Sequence, residues 1–314
     1  MKTLLCGLLC CAALAAAPPV IFDTDMGNDI DDALALAMLH ALEARGEIRL
    51  RAVTVTKDNP WAARYVSAVN RFYGRGDLPV GLVRNGVTKD EGNYIRRTVE
   101  RGGWPHDTEF PDAVDLLQRI LSAEADGSVI LIQVGFSTNL ARLLEAPGGK
   151  ELAARKVKFL SLMAGDFTGK GPEYNVREDV PSAQKLAADW PTPMIWSGFE
   201  VGRTIRFPAR SIERDFSWTP RHPVAEGYRN YMKFPYDRET WDLTSVLYAV
   251  RPDDGYFSLS EPGRVVVDGR GMTRFEPAAD GRHRYLKADE TQRARALEAM
   301  IWLASQPVRG GMRN

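Results

Sequence analysis

Cysteine is almost missing from this 314-residue chain: there are three, Cys6, Cys10 and Cys11, all close to the N-terminus. From residue 18 onward there is none, which excludes disulfide bonds and thiol chemistry from that part. Neither sign of charge is in excess. Lys and Arg total 41, as do Asp and Glu, so the composition points away from nucleic acid or another polyanion as a partner. Long apolar runs are missing too, apart from Leu4 to Ala17. That run follows Met1-Lys2, carries the small-x-small pattern Ala13-Leu14-Ala15 and is too short to span a bilayer. It reads as a secretory signal peptide over residues 1–17, removed to leave one domain, 18–314, in the periplasm or outside the cell. Gly7-Leu8-Leu9 is a poor lipobox before Cys10, so a lipid anchor is the lesser reading. No membrane contact is expected after cleavage.

What is present is an ordinary globular composition, 44% hydrophobic and 26% charged, enough for a sizeable core. Its most informative stretch is Asp23-Thr24-Asp25-Met26-Gly27-Asn28-Asp29-Ile30-Asp31-Asp32. The aspartates Asp23, Asp25, Asp29, Asp31 and Asp32 crowd between an apolar run, Val20–Phe22, and a helical pattern in which Ile30, Ala33, Leu34, Ala37, Met38, Ala41 and Leu42 share a face. Like charge at that density is unfavourable unless a cation neutralises it, and a hard cation with oxygen ligands is the natural partner. Asn28 or Asp29 reads as the N-cap of this helix.

Further along, strands are expected at 50–56, 79–83, 129–134, 158–163 and 194–196, with short ones at 265–267 and 273–275. Helices are expected at 61–73, 113–123, 138–144, 182–188, 223–233, 242–250 and 289–304. Residues 84–109 show no clear period and read as a long functional loop. Alternating strands and helices predict an α/β fold, an open, mostly parallel sheet with helices on both faces in a single domain. Ligands of such sheets bind beyond the carboxyl ends of the strands. There Asp25, Asn59, the run Gly135-Phe136-Ser137-Thr138-Asn139 and Gly165-Asp166 should converge.

These residues resemble a known family. The aspartate run is similar to the N-terminal signature of the nucleoside hydrolases, the inosine–uridine-preferring N-ribohydrolases. In the same order follow Val53-Thr54-Val55-Thr56 with Asn59, Val134-Gly135-Phe136-Ser137-Thr138-Asn139-Leu140, Glu173-Tyr174-Asn175 with Asp179, and Trp241-Asp242 before an apolar helix. The resemblance implies a Rossmann-like nucleoside hydrolase fold and calcium-dependent cleavage of the N-glycosidic bond of ribonucleosides. By position Asp25, Asp32, the Val134 carbonyl and Asp242 would ligate Ca²⁺. Asp31, Asn59, Glu173 and Asn175 would bind the ribose. Asp25 would take a proton from a calcium-bound water attacking a ribosyl oxocarbenium-like transition state. Homo-oligomers are common in the family.

The chain departs from the pattern at three places. The turn is two residues longer, through Asn28-Asp29-Ile30. An asparagine before the Glu-Tyr-Asn segment has no counterpart, and Asp166 is the candidate stand-in. Trp241 replaces the histidine that often protonates the leaving base. Indole is no general acid, so Trp241 is expected either to stack on the base or to pack in the core, and Tyr228 and Tyr231 either to line the same pocket or to serve as packing and rim residues. Of the four histidines only His106, in the long loop, is placed to reach a base. Simpler readings exist for several residues: Asp29 as a helix cap, Asn139 as a cap, Arg96, Arg97 and Arg101 as a solvated helix face, and Glu200 as either a helix-start acid or a site residue. A phosphatase of the haloacid-dehalogenase type would also place Asp23-x-Asp25 after a strand, but Gly27 and the lack of a following lysine motif argue against it. The alternative that keeps the fold is an exported ribosyl- or nucleoside-binding protein without efficient catalysis.

Overall fold

In the computed structural model, which describes residues 16–307, the apolar run at residue 20 becomes the strand β1 (Pro19–Thr24), buried along its whole length. The other strands are β2 (Arg49–Val55), β3 (Val80–Leu82), β4 (Val129–Gln133), β5 (Val157–Met163), β6 (Met194–Ser197), β7 (Arg206–Phe207), β8 (Arg238–Glu239), β9 (Ser258–Leu259), β10 (Gly263–Val267), β11 (Thr273–Pro277) and β12 (His283–Lys287). Most of the expected signal peptide lies outside the described residues.

The main sheet runs β11-β10-β12-β6-β5-β4-β1-β2-β3, with β9 added against β12. From β12 to β3 every pairing is parallel; β9, β10 and β11 are antiparallel additions. Strand alternation sorts the core. Val20 and Phe22 face a cluster with Leu34, Val66, Leu243 and Met300, while Ile21 faces another with Leu117, Leu140 and Leu186. Helices therefore cover both faces, as a parallel sheet requires.

The chain order reverses between β1 and β4, which lie side by side: β2 and β3 follow on one flank, β5 and β6 on the other. Loops leaving β1 and β4 diverge there and open a crevice at the carboxyl ends. Two corrections concern this rim. The stretch read as a long functional loop contains a helix, Ile95–Gly102, whose Ile95, Thr98, Val99 and Gly102 are buried at helical spacing, while Arg96, Arg97 and Arg101 form the solvated helix face expected of them. The helix after β1 begins at Asp31 with Ile30 as N-cap, and neither Asn28 nor Asp29 caps it. No helix among the described residues is long and apolar enough to cross a membrane.

Candidate active site

Beyond the carboxyl ends of β1 and β4 lies a cavity of about 340 Å³ lined by Asp25, Asn28, Asp29, Asp31, Asp32, Val134, Met163, Glu173, Tyr174, Asn175, Phe199, Tyr231, Arg238, Trp241 and Asp242. Two helices begin at it, Asp31–Ala44 and Trp241–Val250. Their N-termini present the positive ends of their dipoles to the carboxylates of Asp31, Asp32 and Asp242. The backbone N–H of Asp242 donates to Asp31 Oδ2 at 3.1 Å, which ties the two helix starts together.

Asp31, Asp32 and Asp242 are all buried and offer carboxylate oxygens within 4.8 Å of one another. Burial, and then the neighbouring carboxylates, push all three well above the usual carboxylate range. Thr24 Oγ1 donates to Asp32 and holds its rotamer. A buried acidic trio of this kind fits a hard cation, which removes the like-charge repulsion that the dipoles only reduce.

Asp25 lines the same cavity, close enough for its charge to act on all three. Its Oδ2 accepts from Asn28 Nδ2 at 2.7 Å. Burial raises its carboxyl to about 6, opposed by the Asn28 hydrogen bond and the charge of Lys57. The metal set expected from the sequence included Asp25 and placed Asp31 on the sugar. Here Asp31 sits among the acidic trio and Asp25 stands beside it. Gly135, in the loop after β4, packs so closely that a Cβ there would run into the backbone nitrogen of Asp25.

Across the cavity, Glu173 caps the Tyr174–Glu178 helix and accepts from the N–H groups of Gly165 (3.2 Å), Asn175 (2.8 Å) and Val176 (3.2 Å). Burial nevertheless raises its carboxyl to about 7. Asn175 Nδ2 donates to the carbonyls of Val134 (2.7 Å) and Met163 (3.1 Å). Both amide hydrogens are thus engaged, and Oδ1 is the polar atom left. The Val134 carbonyl retains its second lone pair.

The remaining wall is aromatic and cationic. Trp241 stacks on Phe199 (5.5 Å, 19°) and donates from Nε1 to the Phe199 carbonyl at 3.0 Å. The Arg238 guanidinium lies over the rings of Trp241 (5.2 Å) and Tyr231 (5.4 Å). Trp241 therefore lines the cavity as expected, with its ring already engaged by Phe199 and Arg238.

Four expected sugar or base contacts lie elsewhere. Asn59 caps the Pro60–Phe72 helix through Trp61 N and donates from Nδ2 to the Lys89 carbonyl, so both ends of its amide are used. Asp166 accepts from the N–H and hydroxyl of Thr168 in its own turn. Tyr228 is core, stacked on Tyr236 (4.5 Å, 7°), its hydroxyl donating to the Tyr236 carbonyl; on its helix only Tyr231 reaches the cavity. His106 contacts the Trp104 carbonyl at 2.8 Å and is not among the lining residues. Glu200 accepts from Phe167 N, also away from it. Asn139 is no cap: its Nδ2 donates to Asp23 Oδ1 at 2.8 Å, inside the sheet–helix interface. Asp23 supports the site from below, accepting from Thr54 as well.

Sequence reasoning missed Arg238, Asn28, Lys57 and Phe199. Asp29 is not a cap but the partner of Arg238, which donates from Nε at 2.9 Å and again from Nη2. The signal for Arg238 was its place three residues before Trp241. For Lys57 it was a cation two residues after β2, on the rim where ligands bind.

A family model described as inosine-uridine preferring nucleoside hydrolase matches residues 20–300. Among solved structures, the fold is similar to a plant nucleoside hydrolase (TM-score 0.73, 20% identity, 92% of this chain and 99% of that one). It is also similar to the inosine-uridine preferring nucleoside hydrolase from Bacillus anthracis (0.71, 18%, 92% and 99%) and to the purine-preferring ribonucleoside hydrolase from Gardnerella vaginalis (0.71, 19%, 91% and 99%). No curated protein matches the chain by sequence.

Proposed function

The chain belongs to the inosine-uridine preferring nucleoside hydrolase family and is a hydrolase of N-glycosyl compounds; on that premise we propose that it is a calcium-dependent enzyme releasing ribose and free base from ribonucleosides, exported through its apolar leader. The observation that carries the calcium reading is the buried trio of Asp31, Asp32 and Asp242 opening on the cavity at the sheet's switch point. With Asp25 and the Val134 carbonyl beside them, the donors are all hard oxygens, the set that suits Ca²⁺. When bound, Ca²⁺ supplies charge neutralisation and coordination sites for water and the ribose hydroxyls.

The residues then divide the work. Asp25 takes the proton of the attacking water; the Asn28 amide orients it and the charge of Lys57 favours its ionised form. As the C1′–N bond lengthens, the ring acquires oxocarbenium character, and the surrounding carboxylates stabilise that positive charge. Asn175 Oδ1 and the Glu173 carboxylate receive sugar hydroxyls and hold the ring in register with Asp25. Tyr231, Phe199 and Trp241 bound the space left for the base.

The test is a reducing-sugar assay on the mature protein with inosine, adenosine, guanosine, uridine and cytidine, in calcium and in chelator. Calcium-dependent ribose release supports the reading and ranks the bases. Release unaffected by chelator removes calcium from it; calcium binding without any release returns the chain to the ribosyl-binding alternative.

A further inference from the structure

The cavity contains no histidine to meet the departing base, yet it contains one guanidinium held in place from several sides. Arg238 lies on β8, paired with β7 through Phe207, so its backbone is fixed by a small sheet of its own. Asp29 takes Nε and one Nη2 hydrogen. The rings of Tyr231 and Trp241 carry the guanidinium. The other contacts are long, 3.4 Å from Nη2 to the Tyr231 hydroxyl and 3.4 Å from Nη1 to Glu239, and the outer N–H groups are therefore the ones that a ligand can claim. Asp29 sits inside the aspartate turn after β1, so the turn and the arginine form one device.

We propose that Arg238 is the leaving-group residue of this enzyme: it hydrogen-bonds the departing nucleobase and stabilises it as an anion, in place of proton donation. The inference rests on the nucleoside hydrolase reading above. The balance is simple. The C1′–N bond breaks and its electron pair stays on the base nitrogen. Water oxygen bonds to C1′, its proton goes to Asp25, and the base anion leaves against the guanidinium and takes a proton from solvent. A preorganised charged donor aimed at developing charge is the usual large term in such a site. Arginine cannot be the acid itself, because it does not release its proton in proteins. Burial works against its charge, but Asp29 holds it protonated all the same.

The other groups in the cavity suit proton donation poorly. Glu173 has both carboxylate oxygens tied to backbone N–H groups and, in the reading above, receives a sugar hydroxyl, so it is committed to the ribose side of the cavity. Burial and the Asp29 charge raise the Tyr231 phenol above its ordinary range, making it a weak acid.

The experiment compares inosine with 4-nitrophenyl β-D-ribofuranoside, whose leaving group departs unaided. In Arg238→Gln, kcat/KM for inosine is expected to fall roughly 100- to 1000-fold, the range for losing one such donor, while the nitrophenyl riboside changes less than about threefold. Arg238→Lys should lie between, since it keeps the charge and loses the fork. Equal losses on both substrates, or none on either, overturn the proposal and leave Arg238 a pin for the Asp29 turn. If Arg238→Gln does not fold, the parent enzyme decides alone. Its inosine and nitrophenyl pH profiles should keep a constant ratio from about pH 6 to 8, below the ionisation of the inosine base itself; a fall of the inosine rate alone within that window would reveal a titrating proton donor. A parent that cleaves neither compound instead fails the nucleoside hydrolase reading.

Discussion

One amide joins Lys57 to Asp25: Lys57 Nζ donates to Asn28 Oδ1, and Asn28 Nδ2 donates to Asp25 Oδ2 at 2.7 Å. The lysine side chain is fully buried, and among the described residues its only carboxylate partner, Asp90 at 3.3 Å, is 63% exposed. An ammonium removed from water with so little direct compensation needs a reason, and the acidic cavity beyond Asn28 supplies one. The pair orients Asp25 and favours its charged form.

Lys57→Met, nearly equal in volume, should therefore fold and lower kcat on inosine roughly tenfold with KM little changed, because it disturbs the base and leaves the sugar contacts intact. Asn28→Leu, which cuts the relay at its centre, should give the same split. Steady-state kinetics of both variants check this. A rise in KM at constant kcat would assign the pair to substrate binding instead.

Cation removal has a structural readout. At calcium a hundredfold above its Kd, linkage adds about 2.7 kcal/mol, enough to raise Tm by roughly 5 °C in a protein of this size. Asp32→Asn and Asp242→Asn should each abolish the shift. Without calcium, both should be at least as stable as the parent, since each removes one of three crowded buried carboxylates. Differential scanning fluorimetry in calcium and in chelator measures all of these, and an undiminished shift in either variant would place the ion elsewhere.

Two histidines far from the chemistry set a pH limit on stability. His222 Nδ1 accepts from Val224 N as the cap of the Pro223–Tyr231 helix, and His283 Nδ1 accepts from Val265 N. Each must be unprotonated at that nitrogen. Burial lowers them from 6.5 to about 3 and about 4. The unfolded chain therefore binds protons first as pH falls. Their contribution is complete above pH 6.5 and is lost progressively toward about 4 for His283 and about 3 for His222. His222→Asn keeps an acceptor for the cap without titrating, so its Tm should fall less steeply than the parent's between pH 6.5 and 4. Parallel curves would contradict the assignment.

Gly135→Ala tests the packing of the loop after β4 on Asp25. The added methyl has no room against the Asp25 backbone, and overpacking of this kind costs about 1–3 kcal/mol. Urea midpoints should fall accordingly, and activity should fall with them because Asp25 is the residue displaced.

Much of this architecture was legible in the sequence because period and composition carry it. The buried strands and the apolar faces of the helices starting at Asp31 and Trp241 announce themselves. The helix Ile95–Gly102 was hidden because only four buried positions mark its face among charged neighbours. β12 was hidden because His283-Arg284-Tyr285 reads as polar, although it pairs with β6 inside the sheet. At the site, residues within one segment could be grouped from spacing. Asp29 with Arg238 could not, since nothing local links residues so far apart. Asn59 and Tyr228 misled for the opposite reason: their residue types suit a ligand, but the cap and the aromatic stack claim them.

The account stands most directly on Asp25. Purified Asp25→Asn, compared with the parent in saturating calcium, should remain folded and lose at least about 1000-fold in ribose release from inosine and uridine, the loss expected when the base for the attacking water is removed from a preorganised site. Ribose release by Asp25→Asn at close to the parent's rate would contradict it.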